Sequence, residues 1–137
     1  IHYTGVDIVP ALIARDQASY GCTERRFALC DLVEGELPTA ELILCRDCFV
    51  HLSYDDTRRA LDNFRRSGAT WLLTTTFTDP RANHDIVTGD WRPIVLQQAP
   101  YGFPEPVTLI NEGCTELGGR FADKSLALWR LADLPRW

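Results

Sequence analysis

The stretch YTGVDIVPALI, residues 3–13, decides how the rest of the chain is read. Residues 1–7 read as a strand with Asp7 at its tip. Pro10 suits the first turn of a helix that runs to about Tyr20, and Gly21 is its stop. A strand, an acid at its carboxyl end and a helix in this order open an alternating α/β chain. At 137 residues the chain is one domain by length, residues 1–137, with a hydrophobic fraction of 45% to fill a core.

Working outward, the same grammar repeats. Residues 27–30 form a short apolar strand that ends at Asp31, and VEGELPTA is a turn-rich connection. Residues 42–45 are a buried strand leading into RDCFVHLS. Ser53 with Asp56 resembles a capping box, and Asp55 and Asp56 sit at the positive end of the helix dipole. Thr57, Ala60, Leu61 and Phe64 share one face of that helix, and Arg65, Arg66 and Gly68 close it. ATWLLTTTF, residues 69–77, is the next strand. The series β-α-β-β-α-β predicts a mainly parallel sheet with helices on both faces. After Phe77 the character changes. Residues 78–105 are rich in proline and carry Trp91, Tyr101 and Phe103, as an ordered lid or substrate wall would. Residues 107–114 and 125–131 are two more strands, joined at hairpin length and therefore antiparallel.

Composition narrows the partners. Fourteen basic residues against nineteen acidic ones give a net charge of −5, which argues against nucleic acid or an anionic membrane as the main partner. No apolar run approaches the roughly 18 residues of a membrane span, and no signal peptide is visible. Five cysteines, an odd number without disulfide-like spacing, fit a reduced, cytoplasmic protein. CRDC, Cys45 to Cys48, has the spacing of a redox pair, but Cys45 belongs to an apolar strand and should point inward. No second close pair of ligands suggests a metal site. GCTELGGR, residues 113–120, lacks the lysine of a phosphate loop and reads as a hairpin turn.

The ordered series resembles the class I S-adenosylmethionine-dependent methyltransferases. YTGVDIV is similar to their second strand with its ribose acid, FALCDL to the third, AELILCRDCFVHLS to the fourth and the segment after it, and ATWLLTTTF to the fifth. The final two strands are similar to the reversed pair of that fold. The resemblance implies S-adenosylmethionine as cofactor, with Asp7 and Ile8 at the ribose, Asp31 and Leu32 at the adenine, and Arg46, Asp47 and Cys48 lining the crevice. His51 is the candidate base, because histidine is the side chain whose ordinary titration lies near neutrality. Trp91, Arg92 and Tyr101 are the candidate contacts to a small-molecule methyl acceptor.

In that family a first strand and a glycine-rich loop precede the ribose acid. Counting back from Asp7 places both before Ile1. The expectation is an amino-terminally incomplete methyltransferase-like domain that keeps the adenosine-side acids and binds cofactor poorly. Its second and fourth strands would have unpaired edges, which recruit strands and favour a homodimer. Two further readings stay open. One is a non-enzymatic dimeric binding or structural module; the other is an NAD-type dinucleotide-binding domain, which the terminal antiparallel pair speaks against.

Overall fold

The computed structural model describes residues 1–136. Strand β1 (Tyr3–Asp7), helix α1 (Pro10–Tyr20) and strand β2 (Arg25–Leu29) form one unit. The two strands pair in parallel, with Tyr3 opposite Arg25 and Asp7 opposite Leu29. Gly5 lets the Phe27 ring lie against the backbone: a Cβ there would come within 2.7 Å of it. The unit is thinly packed. No residue of α1 is buried, and Tyr3, Val6 and Leu29 are exposed.

Strands β3 (Leu42–Cys45), β4 (Trp71–Phe77), β5 (Thr108–Asn111) and β6 (Lys124–Arg130) make a second sheet in the order β3-β4-β6-β5. β3 and β4 are parallel, while β6 runs antiparallel to both β4 and β5. This differs from the single, mainly parallel sheet expected above. The physical reason is that β1 and β3 do not pair. Among the described residues, each keeps one edge without a strand neighbour, so the parallel pairs stay in separate sheets. The antiparallel β6 between β4 and β5 is the reversed arrangement that the sequence sets against an NAD-type fold.

Helix α2 (Tyr54–Arg66) forms where its local signals place it. The Ser53 hydroxyl accepts from Asp56 N–H at 3.1 Å, and Gly68 follows the helix at φ +81°, a left-handed conformation that costs glycine little. Its buried face is Thr57, Ala60, Leu61, Asn63 and Phe64. Phe64 stacks on Phe49, their centroids 5.9 Å apart. Between β4 and β5 the chain has no helix or strand, yet Arg92, Ile94, Val95, Leu96, Tyr101 and Phe103 are all buried. Phe77 N–H donates to Ile94 O, and Trp129 Nε1 donates to Pro104 O. This segment is therefore part of the core and not only a cover over it. Burying so many apolar side chains accounts for its order without regular structure.

Candidate functional site

A cavity of about 340 Å³ opens beside the carboxyl end of β3. Asp47, Val50 and His51 contribute one wall, Phe77 at the end of β4 and Lys124 at the start of β6 another. Trp91, Phe121, Glu116 and Leu117 complete it. Phe77 and Lys124 face each other in the β4–β6 register, which brings both to one place.

Each polar group is held. Asp47 has φ +52°, an uncommon conformation for a residue with a side chain, and its N–H donates to Thr75 Oγ1 at 2.8 Å. Its carboxylate pairs with Lys124 Nζ at 2.8 Å and with Arg46 at 3.2 Å. Arg46 Nε donates to Glu112 Oε1 at 2.7 Å; the second oxygen of Glu112 is buried, has no hydrogen-bond partner among the described residues and lies 3.8 Å from Lys124 Nζ. His51 sits in a short 3-10 turn, Phe49–His51, and its Nδ1 lies 2.9 Å from Asp90 O. A carbonyl only accepts, so Nδ1 carries the proton in that bond. In the neutral ring the lone pair is then on Nε2.

The aromatic lining is a chain of edge-to-face contacts. Phe121 meets Phe77 at 5.7 Å and Trp91 at 5.1 Å. Phe77 and Phe121 are buried, whereas Trp91 is 45% exposed. Leu117, 74% exposed, also adopts a left-handed backbone at φ +49°.

Of the residues singled out from the sequence, Asp47, His51 and Trp91 come together in this cavity. Arg46 and Cys48 flank Asp47. Arg92 and Tyr101 stand elsewhere: Arg92 is fully buried, with NH1 donating to Leu52 O at 2.7 Å and NH2 to the Tyr101 hydroxyl at 2.6 Å. Tyr101 is 1% exposed, and burial pushes its hydroxyl pKa upward. Both pack at the start of α2, where Arg92 lies over the Tyr54 ring and Tyr101 meets it edge-to-face at 5.4 Å. Phe77, Phe121, Leu117, Glu116 and Lys124 were not singled out from the sequence as site residues. No local signal marks them, because strand register and the β5–β6 connection assemble them.

Asp7 and Asp31 stand at the carboxyl ends of the neighbouring strands β1 and β2. Asp7 Oδ1 accepts from Val9 N–H and Asp31 Oδ1 from Val33 N–H, both at 2.8 Å. Among the described residues, the second oxygen of each takes no hydrogen bond, so each keeps acceptor capacity for a ligand. Ile8 is 65% exposed beside Asp7. Leu32 is half-buried against the core, and its carbonyl accepts from Asn63 Nδ2 at 2.9 Å. Cys48 links the two regions. Interaction with the neighbouring Cys45 thiol lowers its pKa, while burial and the charge of Asp7 oppose that shift. Among the described residues, no group of three or more His, Cys, Asp or Glu is placed to hold a metal ion, and no helix is long and apolar enough to cross a membrane.

No family model matches the chain, and no curated protein matches it in sequence. Solved structures do. A TehB-like SAM-dependent methyltransferase from Corynebacterium glutamicum superimposes with a TM-score of 0.58 at 18% identity, over 99% of this chain and 68% of that one. Human N-acetylserotonin methyltransferase, in complex with SAM, gives 0.64 at 12% identity over 94% and 40%. The [4+2]-cyclase SpnF gives 0.61 at 14% identity over 95% and 66%. The chain thus spans 40 to 68% of the length of these three. The fold is an α/β fold of the class I SAM-dependent methyltransferase kind. SpnF bears the name of a cyclase, so the fold alone does not fix the reaction.

Proposed function

We propose that the chain is the core of an S-adenosylmethionine-dependent methyltransferase acting on a small molecule. The observation that carries this reading is the turn Arg46–Cys48. Its Asp47 walls the aromatic cavity at the carboxyl end of β3, while Asp7 and Asp31, each with a spare carboxylate oxygen, follow the carboxyl ends of the parallel strands β1 and β2. A cofactor along the tips of β1 and β2 and an acceptor in the cavity would meet at that turn. Asp7 with Ile8 would hold the ribose, and Asp31 with Leu32 the adenine. Their spare carboxylate oxygens fit hydroxyl and amino donors. When bound, the cofactor supplies an electrophilic methyl group. The chain's own residues then align the acceptor with it, and His51 Nε2 takes the acceptor's proton.

A continuous, mainly parallel sheet with helices on both faces would arise if a further strand joined β1 to β3. Five free cysteines are in keeping with a reduced, cytoplasmic setting. Calorimetric titration with S-adenosylmethionine tests the placement. The expected result is binding weaker than micromolar for this chain, abolished by Asp7→Ala. Micromolar binding that survives Asp7→Ala refutes it.

A second reading, a dimeric module without catalysis, is favoured by one observation. β1 and β3 each have an unpaired edge, next to exposed Val6, Leu42 and Leu44. Such edges recruit strands. Sedimentation at rising concentration should show dimers, and a strictly monomeric profile removes this reading.

A further inference from the structure

We propose that the cavity takes an uncharged, planar aromatic molecule carrying a hydroxyl group. To call that molecule the methyl acceptor rests on the methyl-transfer reading above; its binding does not. The cavity volume falls at the small end of small-molecule sites, roughly 300 to 1,000 Å³. Its apolar lining is mainly aromatic. Phe121 is already engaged edge-to-face with both Phe77 and Trp91, while Trp91 keeps nearly half its surface in water. An added ring would continue this chain of contacts, which an aliphatic ligand of the same size does less well. Leu117, in the same lining and 74% exposed, adds an apolar side chain that a ligand can cover.

The charges select further. Lys124 is the cation of the lining, and Asp47 neutralises it at 2.8 Å, with Glu112 close behind. Glu116 adds a carboxylate at the rim. Within the lining itself, the carboxylates of Asp47 and Glu116 stand against the single ammonium of Lys124, so carboxylates and phosphate monoesters are disfavoured. Apart from the carboxylates of Asp47 and Glu116, the side-chain acceptor in the lining is Nε2 of the neutral His51 ring, oriented by the bond between Nδ1 and Asp90 O. It suits a hydroxyl donor.

The test is titration of the full chain, without cofactor, by two-dimensional amide NMR. The probes are 2-naphthol, 2-methoxynaphthalene, naphthalene-2-sulfonate and cyclohexanol. The expected result is saturable shifts from 2-naphthol at the Trp91 indole and at the His51 and Leu117 amides. 2-Methoxynaphthalene should bind more weakly, and that difference should vanish in His51→Ala. Cyclohexanol and the sulfonate should bind weakest. Trp91→Ala should weaken 2-naphthol roughly 2- to 12-fold, the range of one aromatic pair. The exposed-site variant Leu117→Gly should weaken it as well while the spectrum stays that of the folded chain. Equal affinity for cyclohexanol, preference for the sulfonate, or shifts confined to the β1 and β3 edges would overturn the proposal. Calorimetry with S-adenosylmethionine is independent of these probes, so failure here and failure of the methyl-transfer reading are told apart.

Discussion

Arg92→Ala separates a packing role from a ligand-contact role at the segment behind the cavity. Arg92 is fully buried and, among the described residues, has no carboxylate partner. Its guanidinium instead satisfies Leu52 O and the Tyr101 hydroxyl, and lies 5.4 Å from the centre of the Tyr54 ring. Truncation removes two hydrogen bonds from a charged donor, about 1.5 to 3 kcal/mol each. It also removes a desolvated cation–π contact of about 2 kcal/mol. Against this, a buried charge no longer needs to be stripped of water, which offsets several kcal/mol. The net is a loss of about 3 kcal/mol, or a drop in Tm of roughly 10 °C for a chain of this size. Trp91→Ala, at a half-exposed ring with one aromatic neighbour, should cost about 1 kcal/mol. Urea unfolding of both variants, followed by far-ultraviolet circular dichroism, measures the two together. If Arg92→Ala unfolds at the wild-type midpoint while Trp91→Ala does not, the assignment of Arg92 to packing is wrong.

Three more outcomes can be measured. Leu117→Gly should leave thermal stability unchanged or raise it by about 1 kcal/mol, since glycine relieves a left-handed backbone; a clear loss would mean that the Leu117 side chain supports the fold. Burial raises the Tyr101 pKa above its ordinary 10.0, so the unfolded chain releases this proton first as pH rises. Tyr101 therefore contributes stability that is complete below about pH 10 and is lost as pH climbs through its folded value. Tyr101→Phe should flatten this alkaline limb, with part of it remaining through Tyr54, which burial also raises. At the β3 turn, iodoacetamide should label Cys48 before the buried Cys45. Asp7→Asn should speed that labelling, because it removes a charge that disfavours the Cys48 thiolate; an unchanged rate would place Asp7 too far away to matter.

What the sequence reveals follows the range of the forces involved. Helix α2 is legible because its cap, its terminal charges and its glycine stop all act within a turn or two. The strands are legible as elements for the same reason. Their partition into two sheets is not, because it depends on β1 and β3 failing to meet. The segment between β4 and β5 reads as a loop from its prolines, yet its aliphatic and aromatic side chains fill the core. No periodicity announces a side chain whose burial is decided by residues forty positions away. Arg92 shows the same limit in reverse: arginine is rarely fully buried, so its type suggests a surface contact. In the cavity, Asp47 and His51 are legible from their place after a strand, and Trp91 from the aromatic character of its segment. Lys124 and Phe121 are not, since they enter through pairing with β4 and a long hairpin connection.

The first residues of β6 carry a consequence of their own. Lys124 turns into the cavity toward Asp47, while its neighbour Asp123 is buried and accepts from Thr78 N–H, Asp79 N–H and Arg81. Asp123 closes the turn before β6 and Lys124 opens the strand, so a slip of one residue would carry one of them into the other's place. A slip in one direction would present an anion to Asp47, and a slip in the other a cation to three donors, so repulsion penalises either. Two side chains of opposite sign thereby act as a key that fits its lock in a single alignment, and the shape of the binding chamber inherits that certainty.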